Sequence, residues 1–160
     1  MKRCLAYGYG NPGRQDDGLG ILLVEKWERW ALDNGIRHID FEYNYQLNIE
    51  DALTISEYDQ VIFADASVEE IEDVQLSKVI PTQRTEFTMH AMHPGFILHL
   101  CNKLYGKTPE TYLLSIKGYE FEFIEEITEK AQVNLNMGLD LVLEVFSMPD
   151  LSEVEVNLKV

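Results

Sequence analysis

Apolar and polar residues follow one another in two rhythms along the chain. Short, nearly unbroken apolar runs, as expected of strands covered on both faces, occur at Cys4-Leu5-Ala6-Tyr7, which ends at Gly8, and at Tyr58–Ala64, which rises into Val61-Ile62-Phe63-Ala64 and ends at Asp65. A third run covers Thr111–Ile116 and ends near Gly118. Between them the period lengthens to that of a helix. Leu19, Leu23, Trp27 and Trp30 share one face with Val24 and Ala31 beside them, and Glu25, Glu28, Arg29 and Asp33 take the other. This predicts a helix from Leu19 to Asn34, stopped by Asn34-Gly35, with both tryptophans used for core packing. Ile36–Phe41 alternates like a strand, Ile49–Ile55 suits a short amphipathic helix, and Val74–Ile80 reads as an edge strand closed by Pro81. A helix is predicted over Pro94–Tyr105 with Ile97, Leu98, Cys101, Leu104 and Tyr105 inward. A long final helix runs over Ile127–Phe146 through Ala131, Leu135, Leu139 and Val142. The tail alternates Val154, Val156, Leu158 and Val160 with polar residues, fitting an extra edge strand, a frayed end or a segment that docks on something else.

Strands alternating with helices predict a single three-layer α/β/α domain with a mostly parallel central sheet. No repeat, low-complexity tract or linker divides the 160 residues, so the domain is taken as 1–160, with its core in 3–146 and a tail at 150–160. The charge balance narrows the partners. Thirteen Lys and Arg stand against 28 Asp and Glu, a formal net charge of −15. Such a field repels phosphate backbones and anionic lipid, which argues against nucleic acid and membrane surfaces and favours cations or a basic partner. No apolar run approaches the ~20 residues of a membrane span. The apolar stretch behind Met1-Lys2-Arg3 stops at Gly8-Tyr9-Gly10-Asn11-Pro12, so no signal peptide is expected. Cys4 and Cys101 form no disulfide framework or metal pair, and a cytoplasmic location is expected.

In a parallel α/β sheet, sites form beyond the carboxyl ends of the strands. Three segments bring polar groups there: Gly8 through Gly20 after the first strand, Asp65 after the second buried run, and His90-Ala91-Met92-His93-Pro94 before the third helix. The glycine-rich segment invites a nucleotide reading, but no helix opens at Gly13, no Lys-Ser/Thr pair follows, and Asp16 and Asp17 sit where a phosphate would lie. Adjacent aspartates at a helix start have a simpler use, one of them capping free amides. Successive helical side chains diverge by about 100°, so if Asp16 caps, Asp17 is free to project elsewhere. Asp65, after an apolar strand, needs a hydrogen-bond partner or a metal. His90 and His93 either cap and pack or bind. Two carboxylates and an imidazole would make an open site for a borderline divalent cation such as Ni²⁺ or Zn²⁺. There is no Gly-x-Ser-x-Gly elbow, no His-Glu-x-x-His helix, and no cysteine with an obvious histidine partner.

Taken together, Gly8-Tyr9-Gly10-Asn11-Pro12 with Asp16-Asp17-Gly18-Leu19-Gly20, the strand-ending Phe63-Ala64-Asp65, and His90 four residues ahead of Pro94 resemble the hydrogenase maturation endopeptidases. These are the proteases of the nickel-iron hydrogenase large subunit, and the resemblance spans roughly residues 3–146. It implies a phosphorylase/hydrolase-like α/β fold and removal of a C-terminal peptide from the nickel-loaded large-subunit precursor. It further implies that Asp17, Asp65 and His90 meet the nickel, which arrives with the substrate, and that no organic cofactor is used. The attacking group is left open, and a monomer is expected. Two departures stand out. His93 precedes Pro94 where the family often has a small hydroxyl residue, which makes His93 a further candidate ligand. The run Tyr45-Gln46-Leu47-Asn48-Ile49-Glu50 replaces a Gly-Gly-Thr-like turn and is similar to members serving cytoplasmic, soluble hydrogenases. Two other classes remain as alternatives: a non-catalytic module that recognises a metal-loaded partner, and a nucleotide- or flavin-binding domain.

Overall fold

The structure, a computed structural model, describes residues 2–83 and 92–147. Five strands form one sheet: β1 (Cys4–Tyr9), β2 (Ile39–Asn44), β3 (Gln60–Ser67), β4 (Val74–Lys78) and β5 (Glu110–Lys117), in the order β2-β1-β3-β5-β4. The first four in that order run parallel, and β4 pairs antiparallel with β5 at the edge. The helices are α1 (Leu19–Asp33), α2 (Asp51–Ile55), α3 (Pro94–Tyr105) and α4 (Glu129–Phe146). Alternating side chains of the strands send Cys4, Ala6, Ile62, Ala64 and Leu114 against α1 and α4. Leu5, Tyr7, Tyr9, Val61 and Phe63 face α2 and α3. These are the predicted three layers. Trp27 lies fully inside the first core, where its indole N–H donates to Ser147 at 2.9 Å, so a buried polar atom is satisfied.

Chain order and sheet order together place a switch point between β1 and β3. From β1 the chain crosses through α1 to β2 on one side, then returns through α2 to β3 on the other, which opens a crevice at the strand ends. Pairing of β1 with β3 ends at Gly8–Ala64, whereas β3 stays paired with β5 as far as Ser67–Lys117. Asp65 therefore lies inside β3, not at its end, in the stretch where β3 outruns β1.

Other boundaries differ from expectation for similar reasons. β1 continues through Gly8 to Tyr9, and β2 follows it to Asn44, because the two strands pair in register from Cys4–Ile39 to Tyr9–Asn44. The predicted strand at Ile36–Phe41 is thus displaced towards the C-terminus. Leu104 and Tyr105, expected inward, are exposed, since the buried face of α3 ends at Cys101. The tail at 150–160 and His90 lie outside the described residues. Among the described residues no helix is long and apolar enough to cross a membrane.

Candidate active site

The glycines after β1 are used for close backbone packing. A Cβ on Gly20, in the first turn of α1, would strike the Ala64 carbonyl of β3 and lie 2.8 Å from that of Tyr9. Gly10, at φ 135°, lies in a region that side chains rarely adopt, and a Cβ there would collide with the Asp17 carbonyl. The start of α1 is therefore pressed onto the ends of β1 and β3. A 3-10 turn, Gln15–Gly18, feeds into the helix and carries Asp16 and Asp17 over the crevice. This packing explains the Gly-rich segment without any phosphate.

The two aspartates then part. Asp16 does not cap α1, whose N-cap position is Gly18 and whose first amides receive no side-chain cap. It is fully buried and reaches the opposite way, to the connection between β5 and α4. Its Oδ2 accepts from the Tyr119 and Glu120 amides at 2.8 and 3.1 Å and from the Thr128 hydroxyl at 2.9 Å, and its Oδ1 accepts from the Thr128 amide at 2.9 Å. Burial pushes its carboxyl up, but those amides and the hydroxyl outweigh it and hold the group below its ordinary range. Gln15 reinforces the same junction from a positive φ of 45°. Its amide donates to the Ile124 carbonyl at 2.7 Å and its side chain accepts from Glu122 at 2.9 Å. A cavity of about 560 Å³ opens there, lined in part by Gln15, Tyr119 and Thr128, but neither Asp17 nor Asp65 lines it.

Asp17 is part-buried and accepts from the Asn11 amide at 3.0 Å. Asp65 stands on the α2/α3 face of β3, where the nearby Tyr9 hydroxyl and Ala66 amide favour its charged form. Burial pushes its carboxyl up to about 7, and the negative charge of Asp17 adds to the rise, against the two donors. The crevice thus brings Asp17 and Asp65 near enough to repel, an arrangement relieved by a proton or a cation.

His93 sits at the start of α3. Its Nδ1 accepts from the Gly95 amide at 3.0 Å, with Pro94 at the first helical position. A neutral imidazole accepting at Nδ1 carries its proton on Nε2, so neither nitrogen has a lone pair to spare for a metal. Among the described residues no three His, Cys, Asp or Glu side chains gather closely enough to hold a metal ion. Sequence reasoning missed Tyr9, which looked like one more apolar strand residue; its hydroxyl, the one polar atom in that side chain, was the available signal.

Solved structures with the same architecture include the [NiFe] hydrogenase maturation protease HycI of Thermococcus kodakarensis. It is 18% identical to this chain, with a TM-score of 0.69 over 89% of this chain and 91% of its own. The hydrogenase maturating endopeptidase HybD of E. coli gives 18%, 0.68, 89% and 90%. The fold is that of the hydrogenase maturation proteases. A hydrogenase 2 maturation peptidase from a Thaumarchaeota archaeon agrees, at 20% identity and a TM-score of 0.64 over 89% of this chain and 97% of that one. A scan against protein-family models gave no match, and neither did a search of curated proteins. The hydrogenase maturation protease fold accounts for the switch point that carries Asp17 and Asp65.

Proposed function

We propose that this chain is an endopeptidase that removes the C-terminal peptide from the nickel-loaded precursor of a [NiFe]-hydrogenase large subunit. The observation that carries the reading is the convergence of Asp17 and Asp65 at the switch point of a maturation-protease fold, with Asp65 pushed up to about 7 by burial and by Asp17. A cation entering between them lowers the cost of ionising both. Nickel is part of the substrate, held in the precursor, and His90 is the third group proposed to meet it. An open donor set of two carboxylates and one imidazole suits a metal that already has ligands of its own. The metal would then report that loading is complete and place the scissile peptide beside it, and no organic cofactor is required.

The segment after β2 would set which precursor is accepted. Leu47 and Asp51 are buried anchors there, and Tyr7 donates to both oxygens of Asp51 at 3.0 Å. Tyr45 and Ile49 are left exposed at the sheet edge. The protein would act as a cytoplasmic monomer. The test is the mass of a nickel-loaded large-subunit precursor incubated with and without the protein, with nickel-free precursor as control. Loss of a short C-terminal peptide from the loaded form alone is expected. An unchanged mass, with loading and fold verified, overturns cleavage of that precursor, and a pull-down then separates a non-catalytic binding module from no interaction.

A further inference from the structure

The connection between β5 and α4, residues 118–128, contains no helix or strand, yet its backbone is fastened in place. Beyond the bonds of Asp16 and Gln15 given above, the Asp16 amide donates to the Glu120 carbonyl at 3.1 Å. Gln15 Nε2 donates to the Glu126 carbonyl at 3.3 Å, and Arg14 Nε to the Phe121 carbonyl at 2.9 Å. Three consecutive residues thus satisfy the backbone from within, and the side chains are left to face outward. Phe123 is 84% exposed, and Ile124 and Tyr119 on the same connection are exposed too. Tyr119 and Ile124, with Ile127, form the apolar wall of the cavity of about 560 Å³. Apolar groups displayed on a backbone already ordered add nothing to the core and are suited to anchor a partner.

Charge says which partner. Glu120, Glu122, Glu125, Glu126 and Glu129 are all exposed around these rings, three of them (Glu120, Glu126 and Glu129) on the cavity wall. Among the described residues the ion pairs are Lys2–Glu110 and Arg3–Asp40, so none of the five is neutralised. The nearby cations lie over rings instead. Lys117 and Lys130 stand 5.8 and 5.5 Å from the Tyr119 centroid, and Arg14 stands 5.8 Å from that of Phe123. The β3–β4 loop joins the connection where the Gly118 amide donates to the Ser67 carbonyl at 2.9 Å, and exposed Glu69, Glu70 and Glu72 extend the acidic rim.

We infer that this surface is a second docking site for the large-subunit precursor, taking a basic segment whose apolar side chain seats against Phe123 and Ile124. A second copy of a chain with net charge −15 is repelled here, as is nucleic acid, while lysine and arginine are drawn in. The identity of the partner rests on the reading above. Position favours it, because Arg14-Gln15-Asp16, which hold the connection, lead directly into Asp17, so a partner seated here lies beside the crevice. The surface itself contains neither Asp17 nor Asp65 and touches no metal, so it engages nickel-free and loaded precursor alike.

Nickel-free precursor is therefore the probe, titrated against the full chain. Wild type is expected to bind it, and Phe123→Ser should raise Kd roughly 10-fold, as for an aromatic anchor. Glu122→Lys with Glu125→Lys should raise Kd about 5–10-fold at low salt, and the difference should shrink as salt screens it. Asp33→Lys with Glu57→Lys makes the same change of charge at exposed sites near the other end of the strands and should move Kd less than about twofold. Thermal stability should be retained in every variant, since each side chain is exposed. Unchanged affinity in either folded surface variant, or an equal loss in the control pair, overturns the docking site. So does a wild type that leaves nickel-free precursor unbound. Cleavage of loaded precursor is scored separately: binding through this surface without cleavage sinks the endopeptidase reading and keeps the site, and cleavage with Kd unmoved does the reverse.

Discussion

Asp16 and Asp65 are both carboxylates removed from much of their water, and their surroundings take them in opposite directions. Asp16, in the junction of the 3-10 turn with the β5–α4 connection, accepts four hydrogen bonds and is held below its ordinary range. Asp65, in the crevice beside β1, is buried and faces the like charge of Asp17, which the nearby Tyr9 hydroxyl and Ala66 amide offset only in part, and it is pushed up to about 7. Burial of an acid therefore says little about its use. What separates a structural carboxylate from a reactive one is whether its donors match its charge. The first is satisfied by the fold; the second carries a cost of ionisation that a proton or a cation would relieve.

The largest effect that tests this contrast is expected at Asp65. Asp65→Asn should lower processing by more than the roughly 10–100-fold of outer-shell changes, to below detection by mass of the product. Its effect on stability has the opposite sign. The folded pKa of about 7 exceeds the unfolded value, so the folded state binds the extra proton between pH ~4 and ~7. Wild-type stability accordingly falls as pH rises through that window, and the full cost is present above it. Asn has no such slope and should be more stable at pH 8 by on the order of 1–3 kcal/mol, read from urea denaturation. An unchanged slope between pH 5 and 8 would contradict the placement of Asp65 against Asp17.

Asp16 should behave in reverse. Asp16→Ala leaves three buried amides and a hydroxyl without their acceptor and should cost about 3–5 kcal/mol, well above the ~1 kcal/mol of a lost helix cap. Because its folded pKa is depressed, the stability it contributes is present above the unfolded value near 3.9 and lost as pH falls through the folded one. The difference between wild type and variant should therefore shrink in acid, whereas the Asp65 difference shrinks on going from pH 8 to pH 5. Processing should persist in whatever fraction of Asp16→Ala is folded. If it stops at unchanged stability, the acting member of the pair is Asp16.

The contrast also shows what local patterns carry. Hydrophobic period located the four α-helices and five strands among the described residues, though not the 3-10 turn at Gln15–Gly18, since a buried face needs only near neighbours in sequence to be recognised. It did not give the ends of β1, β2 and β3, which are set by pairing: Tyr9 with Asn44, and Ser67 with Lys117. Nor did it separate Asp16 from Asp17. The partners of Asp16 are Tyr119, Glu120 and Thr128, more than a hundred residues away, and a helix start supplied a nearer explanation that the structure replaces. Asp65 was legible because a carboxylate after Val61-Ile62-Phe63-Ala64 breaks an apolar run. The nearness of Tyr9 to Asp65 was not, because a tyrosine in a strand reads as apolar until a neighbouring strand brings a carboxylate close to it.

The smallest effect is expected at His93, where capping and ligation can be told apart. The imidazole accepts from the Gly95 amide, and Gly95 has no room to give: a Cβ there would lie 2.7 Å from the Thr82 methyl and 2.8 Å from the Ile80 carbonyl. The start of α3 is thus held against residues 80–82, and the cap needs an acceptor more than it needs a ring. Serine is among the best N-capping residues, so His93→Ser should keep stability within about 0.5 kcal/mol, whereas His93→Ala should cost ~1 kcal/mol. Both should still process precursor, the alanine variant in proportion to its folded fraction. Processing lost in His93→Ser at full stability would mean that the imidazole leaves its cap to join Asp17 and Asp65 when the substrate brings its metal.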